Sequence, residues 1–458
     1  MTGAVLAPCP AAAAAGSAIL AEGGSAAEAL VAAAAVCAVT LPRDCGLGGD
    51  GVWLLAEGAD APPVVIESFG RAAAGAPDAL AGHDSVPVDG PLSVLTPPGA
   101  VASWAAALEA QPGRLPLARL LEPATAAAEG ALKATLERLA TAGLDDLYRG
   151  DLAQVLAADL AAAGSPVAVA DLADHRAERR APLRLPLRTG LAYAAPPPSQ
   201  GLAVLMLLGL LDRLELGAQA GGFDHLHNLI EAAKQVALVR DPALAEPAAM
   251  TLDPAQILAP RFLAERASDI VPNLALQWPL PAGGGDTVFL AAADAAGRLA
   301  CTLQSLGAAG GSGMVSPATG IVLHNRGAAF VLDPASPRAL AAGRRPYHTL
   351  APLLLRLKDG RTLLAGTAGG DAQPQILGQI LSRHLRFGEP LAAALAAPRL
   401  RLAEAVAAEP GLDPRVVDGL RAAGHAVEAA AEAIGAAGVL AVAADGGVTI
   451  AGDPRLSP

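Results

Sequence analysis

The sequence is poor in cysteine and contains no hydrophobic run long enough to cross a bilayer, although 53% of its 458 residues are hydrophobic and its mean hydropathy is +0.42. Alanine accounts for most of this excess. The longest apolar runs, such as residues 29–41, fall short of the ~18 residues that a spanning helix needs. We therefore expect a soluble protein. No Lys or Arg precedes Arg43, so the basic segment that begins a secretory signal is missing, and we expect a cytoplasmic location.

The four cysteines, Cys9, Cys37, Cys45 and Cys301, stand singly among apolar residues, and no CxxC spacing occurs. This pattern predicts buried thiols rather than a disulfide framework or a zinc site, and it implies no metal and no cofactor. The formal net charge is −12 and nothing forms a basic stripe, which argues against nucleic acid or an anionic membrane as a partner. We expect a small-molecule substrate, and association with further copies of the chain stays open.

The apolar patterns predict a helix-rich first part and a strand-rich second part. A helix over residues 11–21 ends at Gly23-Gly24, and the spacing of Ser25 and Glu28 is that of a capping box for the next helix. Further helices are predicted over residues 115–143, 151–163, 202–211 and 375–385, and strands over residues 64–67, 288–293, 299–303, 320–323, 353–357 and 362–365. The expected fold class is α+β, with two sheets sandwiched by helices in an αββα arrangement.

Two local patterns could suggest other chemistry. The glycines between Gly46 and Gly51 precede an apolar strand, whereas nucleotide-binding loops follow one, so we reject a nucleotide site. His227, Glu231 and Lys234 share one face of a predicted helix, but a metal site would need a third ligand at a convincing spacing. A solvated or hydrogen-bonded helix face is the favoured interpretation.

The junction between Asp286 and Thr287 is the most informative point in the chain. Three glycines, residues 283–285, lead into the apolar run 288–293, so a flexible segment enters a rigid strand at this bond. A cut there would give Thr287 a free α-amine beside its hydroxyl, which supplies a nucleophile and a general base in one residue. Taken alone, the same pattern fits a threonine placed for β-propensity or turn hydrogen bonding.

Short motifs accompany this junction, in order, along nearly the whole chain. They are residues 19–29, 46–50, 98–101, 196–201, 231–234, 286–287, 304–305, 311–313, 345–346, 369–370 and 452–455. Together they resemble the γ-glutamyltranspeptidase family of N-terminal nucleophile hydrolases. The resemblance implies a precursor that cuts itself into a large subunit of residues 1–286 and a small subunit of residues 287–458, which stay together in one αββα unit. The chain is short for the family, and the shortening falls around residues 130–144.

The resemblance also implies catalytic roles. Thr287 would attack an amide carbonyl, with its own α-amine as proton acceptor, and form an acyl-enzyme. Ser305 would orient or activate Thr287, although a strand-end hydroxyl needs no such role. Gly369 and Gly370 match the pair whose backbone N–H groups form the oxyanion hole, where glycine lets the intermediate approach closely. A plain turn would require the same glycines.

Departures from the family pattern bear on the substrate. In glutathione-cleaving members an Arg grips the α-carboxylate of the γ-glutamyl group and an Asp grips its α-amine; here Arg71 is off register for the first role and Ala329 stands in the second position. Arg326 offers a planar fork that suits a carboxylate, and a surface or structural role for it stays open. His348 and Thr349 fall where the family often carries a Ser pair near the substrate. We therefore expect an acyl group with a carboxylate and no α-amine, as in the branch containing oxamate amidohydrolases and glutaryl-type cephalosporin acylases.

Two alternatives remain open at this stage. One is a genuine γ-glutamyl hydrolase or transpeptidase that takes the missing amine contact from Asp50 or Asp371. The other is a relative that never cleaves and acts as a binding or scaffold protein. The presence of the Asp286-Thr287 junction, of Ser305 and of the glycine pair favours an enzyme.

Overall fold

A computed structural model of the protein describes residues 3–58, 61–278 and 286–456, with Asp286 described in its backbone alone. The strands are β1 (Ala4–Leu6), β2 (Asp50–Ala56), β3 (Val64–Ser68), β4 (Glu178–Arg180), β5 (Leu183–Leu187), β6 (Gly190–Ala194), β7 (Asp286–Ala293), β8 (Leu299–Gly307), β9 (Leu353–Leu357), β10 (Thr362–Thr367), β11 (Leu400–Leu402), β12 (Val406–Ala408), β13 (Val427–Ala429), β14 (Ala437–Val442) and β15 (Val448–Gly452). The helices are α1 (Pro10–Ala21), α2 (Ala26–Thr40), α3 (Ala76–Ala79), α4 (Ala100–Ala110), α5 (Leu117–Ala127), α6 (Gly130–Ala142), α7 (Asp146–Arg149), α8 (Asp151–Ala163), α9 (Val169–Asp174), α10 (Gly201–Leu211), α11 (Phe223–Ala243), α12 (Pro254–Ile257), α13 (Pro260–Ser268), α14 (Gln373–Phe387), α15 (Leu391–Ala396) and α16 (Pro414–Ala422).

Two six-stranded sheets form the centre of the molecule. The first has the order β1-β7-β8-β2-β3-β4, and the second has the order β15-β14-β10-β9-β6-β5. One apolar cluster fills the space between the two sheets. Of two larger clusters, one lies between the first sheet and its covering helices and the other between the second sheet and its covering helices. Helices α1, α2 and α4 cover the first sheet, while α10 and α14 cover the second. The predicted αββα sandwich is confirmed.

The capping box predicted at the start of α2 is present. The Oγ of Ser25 accepts a hydrogen bond from the Glu28 backbone N–H at 3.1 Å, and the Glu28 carboxylate accepts one from the Ser25 N–H at 2.7 Å. Because alanine dominates α2, the helix has no bulky face to expose and packs closely on all sides, and Ala26 to Ala38 are buried. The box thus fixes where the helix that supports the first sheet begins.

The first part is rich in helices as predicted, but residues before the expected cut also supply β1 to β6, more strands than the sequence predicts there. Strand β7 lies between β1 and β8, and β6 lies beside β9, so both sheets mix strands from both sides of the Asp286-Thr287 junction. The strand predicted over residues 320–323 forms only isolated bridges, Leu323 with Gly48 and Val322 with Val315. Neither predicted fragment could complete a sheet alone.

Other predictions concern burial. Cys37, Cys45 and Cys301 are buried thiols as predicted, whereas Cys9 is partly exposed and lies 3.6 Å from the hydroxyl of Thr40. The polar face of α11 is hydrogen-bonded as predicted, but it is buried rather than solvated. Within the described residues, no helix combines the length and apolarity required to span a membrane.

A buried ion-pair network closes the C-terminal end of the second sheet. The Arg399 guanidinium pairs with the Asp453 carboxylate, and both side chains are almost completely buried. Asp453 also accepts hydrogen bonds from the Ala437 N–H at 2.9 Å and from the Arg455 N–H at 3.0 Å. One carboxylate thereby joins the start of β14, the chain beyond β15 and the loop before β11.

Removal of this carboxylate should destabilise the protein. In Asp453→Ala the buried Arg399 would lose its counter-charge, and breaking a buried pair from one side costs about 3–5 kcal/mol. Denaturant unfolding should show this loss in the free energy of unfolding. Asp445→Ala, which removes an exposed turn carboxylate in the neighbouring hairpin, should change it by less than about 1 kcal/mol. Equal losses in the two variants would contradict the assignment.

Candidate functional site

The candidate site lies where strand ends from both sheets meet at one edge of the sandwich. In the first sheet β7 begins and β8 ends there, because Asp286 pairs with Gly307. In the second sheet β10 ends and β9 begins at one edge, because Ala365 pairs with Leu353. Strands β7 and β10 face each other so closely that a Cβ atom on Gly366 would lie 2.1 Å from the ring of Phe289. Glycine at this position allows the two sheets to approach.

Thr287 is the second residue of β7 and is buried. The pairing of β7 with β8 slips between Asp286 and Val288, so a bulge lies at Thr287 itself. Farther along β7, Phe289 and Ala291 alternate with residues that face the helices and belong to the inter-sheet layer. Thr287 therefore lies at the end of the inter-sheet layer, where β7 begins. It sits at a β-bulge, a feature that is common beside active sites.

Ser305 is close to the end of β8 and is fully buried. It pairs directly with Asp50, the first residue of β2, so the two side chains lie on the same face of the sheet. That face is the inter-sheet one, since Leu303 on β8 and Val52 on β2 belong to the inter-sheet cluster. The Ser305 Oγ accepts a hydrogen bond from the Gly307 N–H at 2.9 Å, which fixes the hydroxyl beside the start of β7.

Gly369 and Gly370 follow the end of β10. Their φ angles are +122° and +53°, a region that favours glycine. A 3-10 turn, Gly370–Ala372, starts at this point and runs directly into α14. The first backbone N–H groups of a helix have no hydrogen-bond acceptor within the helix, and they lie at the positive end of its dipole. Gly369 and Gly370 thus lie at a helix start, a position that favours an anion.

Asp50 connects the two sheets at this edge. Its carboxylate accepts a hydrogen bond from His348 Nε2 at 2.9 Å and one from the Gly99 N–H at 3.1 Å. Burial alone would raise the pKa of Asp50, but His324, His348 and Arg326 together lower it to about 2. Burial lowers the pKa of His348 to about 3. Asp50 is therefore ionised and His348 neutral at neutral pH, with the imidazole N–H directed at the carboxylate.

Arg326 is the cation closest to this pair. Its side chain is 7% exposed, and its Nε lies 3.6 Å from Asp50 Oδ2, too far for a good hydrogen bond. Among the described residues, neither Nε nor Nη2 of Arg326 has a hydrogen-bond partner. A Cβ atom on Gly307, which pairs with Asp286, would lie 3.8 Å from the guanidinium carbon. Arg326 thus presents unsatisfied donors close to the start of β7.

The remaining predicted residues divide into two groups. The ring of His348 stacks on Phe69, with centroids 3.8 Å apart. Thr349 is half-buried, and its carbonyl accepts a hydrogen bond from Gln200 Nε2 at 2.6 Å. Arg71, in contrast, is half-exposed and donates to Glu178 at 2.6 Å and to the Gly343 carbonyl. The structure therefore gathers His348 and Thr349 at the site and turns Arg71 toward a surface carboxylate.

Sequence reasoning assigned no positioning role to Asp50 or Gln200. Gln200 donates from one amide nitrogen to the carbonyls of both Thr349 and Gly370, and its amide oxygen accepts from the Tyr347 hydroxyl at 3.1 Å. It thereby joins the loop before β9 to the glycine loop after β10. Asp50 closes the motif of residues 46–50 and Gln200 belongs to the motif of residues 196–201, so their motifs were the available signal.

The candidate site thus combines a hydroxyl at a strand entrance and backbone N–H groups at a helix start, which could serve as nucleophile and oxyanion donors in acyl transfer, with a buried cation beside them. Among the described residues, no group of three or more His, Cys, Asp or Glu side chains is arranged to hold a metal ion.

Comparison with known proteins agrees with this arrangement. The family model for gamma-glutamyltranspeptidase matches residues 12–133 and 129–457, two segments that overlap at the start of the region where the sequence predicts the shortening. An oxamate amidohydrolase proenzyme from Klebsiella pneumoniae is 38% identical over 96% of this chain and 94% of that protein. An acylase proenzyme, ACY 1, from a Pseudomonas species is 29% identical over 96% and 90%. The crystal structure of a cephalosporin acylase from Bacillus halodurans superposes with a TM-score of 0.91 at 28% identity, over 99% of this chain and 94% of that one.

The αββα sandwich has the fold of the N-terminal nucleophile hydrolases. The chain belongs to the γ-glutamyltranspeptidase family. The prediction of an amidohydrolase or acyltransferase is confirmed at this level, and nothing in the comparisons favours the non-catalytic alternative.

Proposed function

We propose that the chain cuts itself between Asp286 and Thr287, and that Thr287 then cleaves an amide whose acyl group carries a carboxylate and no α-amine. The observation that carries the substrate class is Arg326, a buried guanidinium whose Nε and Nη2 have no partner among the described residues. Leaving buried donors without a hydrogen bond costs free energy. A ligand carboxylate would supply the missing acceptors, because a guanidinium and a carboxylate form charge-assisted hydrogen bonds.

The proposed reaction follows from the geometry. The Thr287 hydroxyl attacks the amide carbonyl while its α-amine takes the proton, and the N–H groups of Gly369 and Gly370 donate hydrogen bonds to the developing oxyanion. Collapse of the intermediate breaks the C–N bond, and the proton passes to the leaving amine. Water then attacks the ester of Thr287 and releases the carboxylic acid. Ser305 holds its hydroxyl beside the nucleophile throughout.

Position 329 supports the same substrate class. Arg326 and Ala329 begin and end one 3-10 turn, so the two side chains project on the same side of it. The family's amine-binding Asp would lie at the second of these positions, and alanine there offers no counter-charge to an ammonium group. The relative from Klebsiella is named for oxamate, a molecule with a carboxylate next to its amide and no amine on the acyl side.

The proposed maturation yields two subunits from one precursor. Several similar proteins are named proenzymes. Both sheets of this chain mix strands from either side of Thr287, with β7 between β1 and β8 and β6 beside β9. The two products would therefore stay associated after the peptide bond is cut, through β-ladders that join strands from both, such as β2 with β8 and β6 with β9.

A γ-glutamyl substrate is the alternative proposal, and it requires another carboxylate for the amine. Asp50 is already engaged by His348 and the Gly99 N–H. Asp371 accepts a hydrogen bond from the Tyr347 hydroxyl at 2.7 Å and lies 3.7 Å from Arg240. Both carboxylates that could serve have structural partners, which favours the substrate without an amine.

A substrate comparison tests the proposal. The matured enzyme should hydrolyse oxamate or a glutaryl anilide with a kcat/KM at least roughly 100-fold above that for the γ-glutamyl anilide, because burying an unpaired ammonium costs several kcal/mol. Ammonia release follows oxamate, and aniline absorbance follows the other two. A preference for the γ-glutamyl compound would overturn the substrate class while leaving the Thr287 chemistry intact.

A further inference from the structure

Helix α11 carries a buried polar cluster that lies outside the acyl-transfer site. We call it the α11 clamp, and it consists of His227, Glu231 and Lys234 from α11 with His425 from the loop before β13. The Lys234 ammonium is 2% exposed and donates to Glu231 Oε1 at 2.7 Å. Replacing a buried charge pair by apolar packing is often neutral or stabilising, so stability alone is a weak explanation for this pair.

The clamp grips the backbone of residues 271–278, which we call the arm. Lys234 donates to the Leu276 carbonyl at 2.7 Å, and Glu231 Oε2 accepts from the Leu276 N–H at 3.1 Å. One residue of the arm is therefore held at both its backbone donor and its backbone acceptor, by opposite charges from adjacent turns of α11. Such a two-point grip fixes the register of the arm along the helix.

The two histidines continue the hydrogen-bonded chain from Lys234 to a second point on the arm. Lys234 Nζ lies 3.5 Å from His425 Nδ1, His425 Nε2 lies 2.9 Å from His227 Nδ1, and His227 Nε2 lies 3.0 Å from the Val271 carbonyl. One proton arrangement satisfies all three contacts. Lys234 donates to a neutral His425, which donates to a neutral His227, which donates to the carbonyl of Val271.

The later half of the chain holds the arm as well. The Ala275 N–H donates to the Ala423 carbonyl at 2.7 Å, and Trp278 Nε1 donates to the Ala403 carbonyl at 2.8 Å. Among the apolar residues of the arm, Trp278 is half-buried and packs against the core of the second sheet, whereas Val271, Leu274 and Leu276 are 40–61% exposed. The arm is therefore positioned by directed hydrogen bonds together with the packing of Trp278 at its end.

The arm leads to the junction at Thr287. Trp278, its last residue, precedes Asp286 by eight positions. Self-cleavage would require the bond between Asp286 and Thr287 to meet the Thr287 hydroxyl in a strained, well-defined geometry, and a misplacement of about 1 Å can cost roughly 100-fold in rate. We infer that Glu231 and Lys234 are positioning residues for maturation, holding the arm so that the junction is presented to its own nucleophile. This inference rests on the proposed self-cleavage.

Lys234→Met should separate maturation from turnover. The methionine keeps the apolar stem but releases the Leu276 carbonyl, so conversion of purified precursor into two fragments should slow by roughly tenfold or more. Denaturing gels and intact mass over time give the rate. Hydrolysis per matured molecule should match the wild type, since Lys234 touches neither Thr287 nor the glycine loop. A merely structural role would lower stability and leave the maturation rate unchanged.

Two further variants sharpen the experiment. Trp278→Phe removes the contact with the Ala403 carbonyl from the arm side, without disturbing α11, and should also slow maturation. Ser382→Ala is the control. It removes a hydroxyl on α14 that contacts His225 of α11, and this variant should mature at the wild-type rate. If Lys234→Met and Trp278→Phe both mature as fast as the wild type, the inference is overturned. If the wild type itself never splits, the proposed self-cleavage is wrong and the inference is overturned with it.

Discussion

The Thr287→Ala protein should remain a single polypeptide of 45.3 kDa and should hydrolyse no amide above background. Alanine lacks the hydroxyl that would attack both the Asp286 carbonyl during maturation and the substrate carbonyl afterwards. Loss of a nucleophile that acts together with its base removes on the order of 10⁴-fold or more of the rate. Intact mass of the purified protein measures maturation, and ammonia release from oxamate measures turnover.

A threonine on the neighbouring strand provides the matched control. Thr302 on β8 is also buried, and its hydroxyl donates to the Val52 carbonyl at 2.9 Å. Thr302→Val should therefore lose some stability while maturing and turning over normally. Thr287→Ser, which keeps a hydroxyl and an α-amine, should retain part of both activities. Maturation and turnover in Thr287→Ala at wild-type rates would remove the nucleophile assignment and everything built on it.

Local patterns predict the elements that position the site, but not the roles of its residues. The capping box at Ser25 needs only a spacing of three residues, and the strand after Thr287 is an apolar run that follows three glycines. The same pattern fits an ordinary threonine, and a plain turn would also require Gly369 and Gly370. Their catalytic roles are predictions that rest on the ordered motifs of the family.

The pairing of Asp50 with His348 could not be found in this way. The two residues are 298 positions apart and meet only because the first sheet stacks on the second at one edge. The same holds for Arg326, whose burial and unsatisfied donors depend on the inter-sheet packing. Short strands were missed for a different reason, since β1 and β4 have three residues each and carry too few alternations to be recognised.

Both sheets contain strands from before and after Thr287, which explains how the chain could be cut at the start of β7 and still keep its site. Strand β7 pairs with β8 over most of its length and with β1 at residues 291–293, and neither pairing depends on the peptide bond before Thr287. Asp50 comes from the proposed large subunit, and His348 from the proposed small one. Cleavage would thus free one α-amine without separating the groups that surround it.

Replacing Arg326 by methionine should cost the matured enzyme its preference for carboxylate-bearing amides. The buried guanidinium would no longer meet the carboxylate, and truncating one partner of a buried, hydrogen-bonded charge pair costs about 2–5 kcal/mol, or roughly 100-fold in kcat/KM. The loss should appear mainly as a higher KM for oxamate, because the contact exists before the chemical step. Arg326→Lys keeps a cation but not the planar fork, so its KM for oxamate should fall between those of the wild type and Arg326→Met.

Arg71 provides the control within the same set of candidates. It already donates to Glu178 and to the Gly343 carbonyl, and its side chain is half-exposed. Arg71→Met should therefore change KM for oxamate by less than about threefold, as expected for a surface ion pair worth under 1 kcal/mol. The reverse outcome, a large rise in KM with Arg71→Met and none with Arg326→Met, would move the carboxylate pocket to the other arginine. Such a result would restore the role that the family gives to an Arg in this region, and Ala329 would then be the only departure left to explain the substrate.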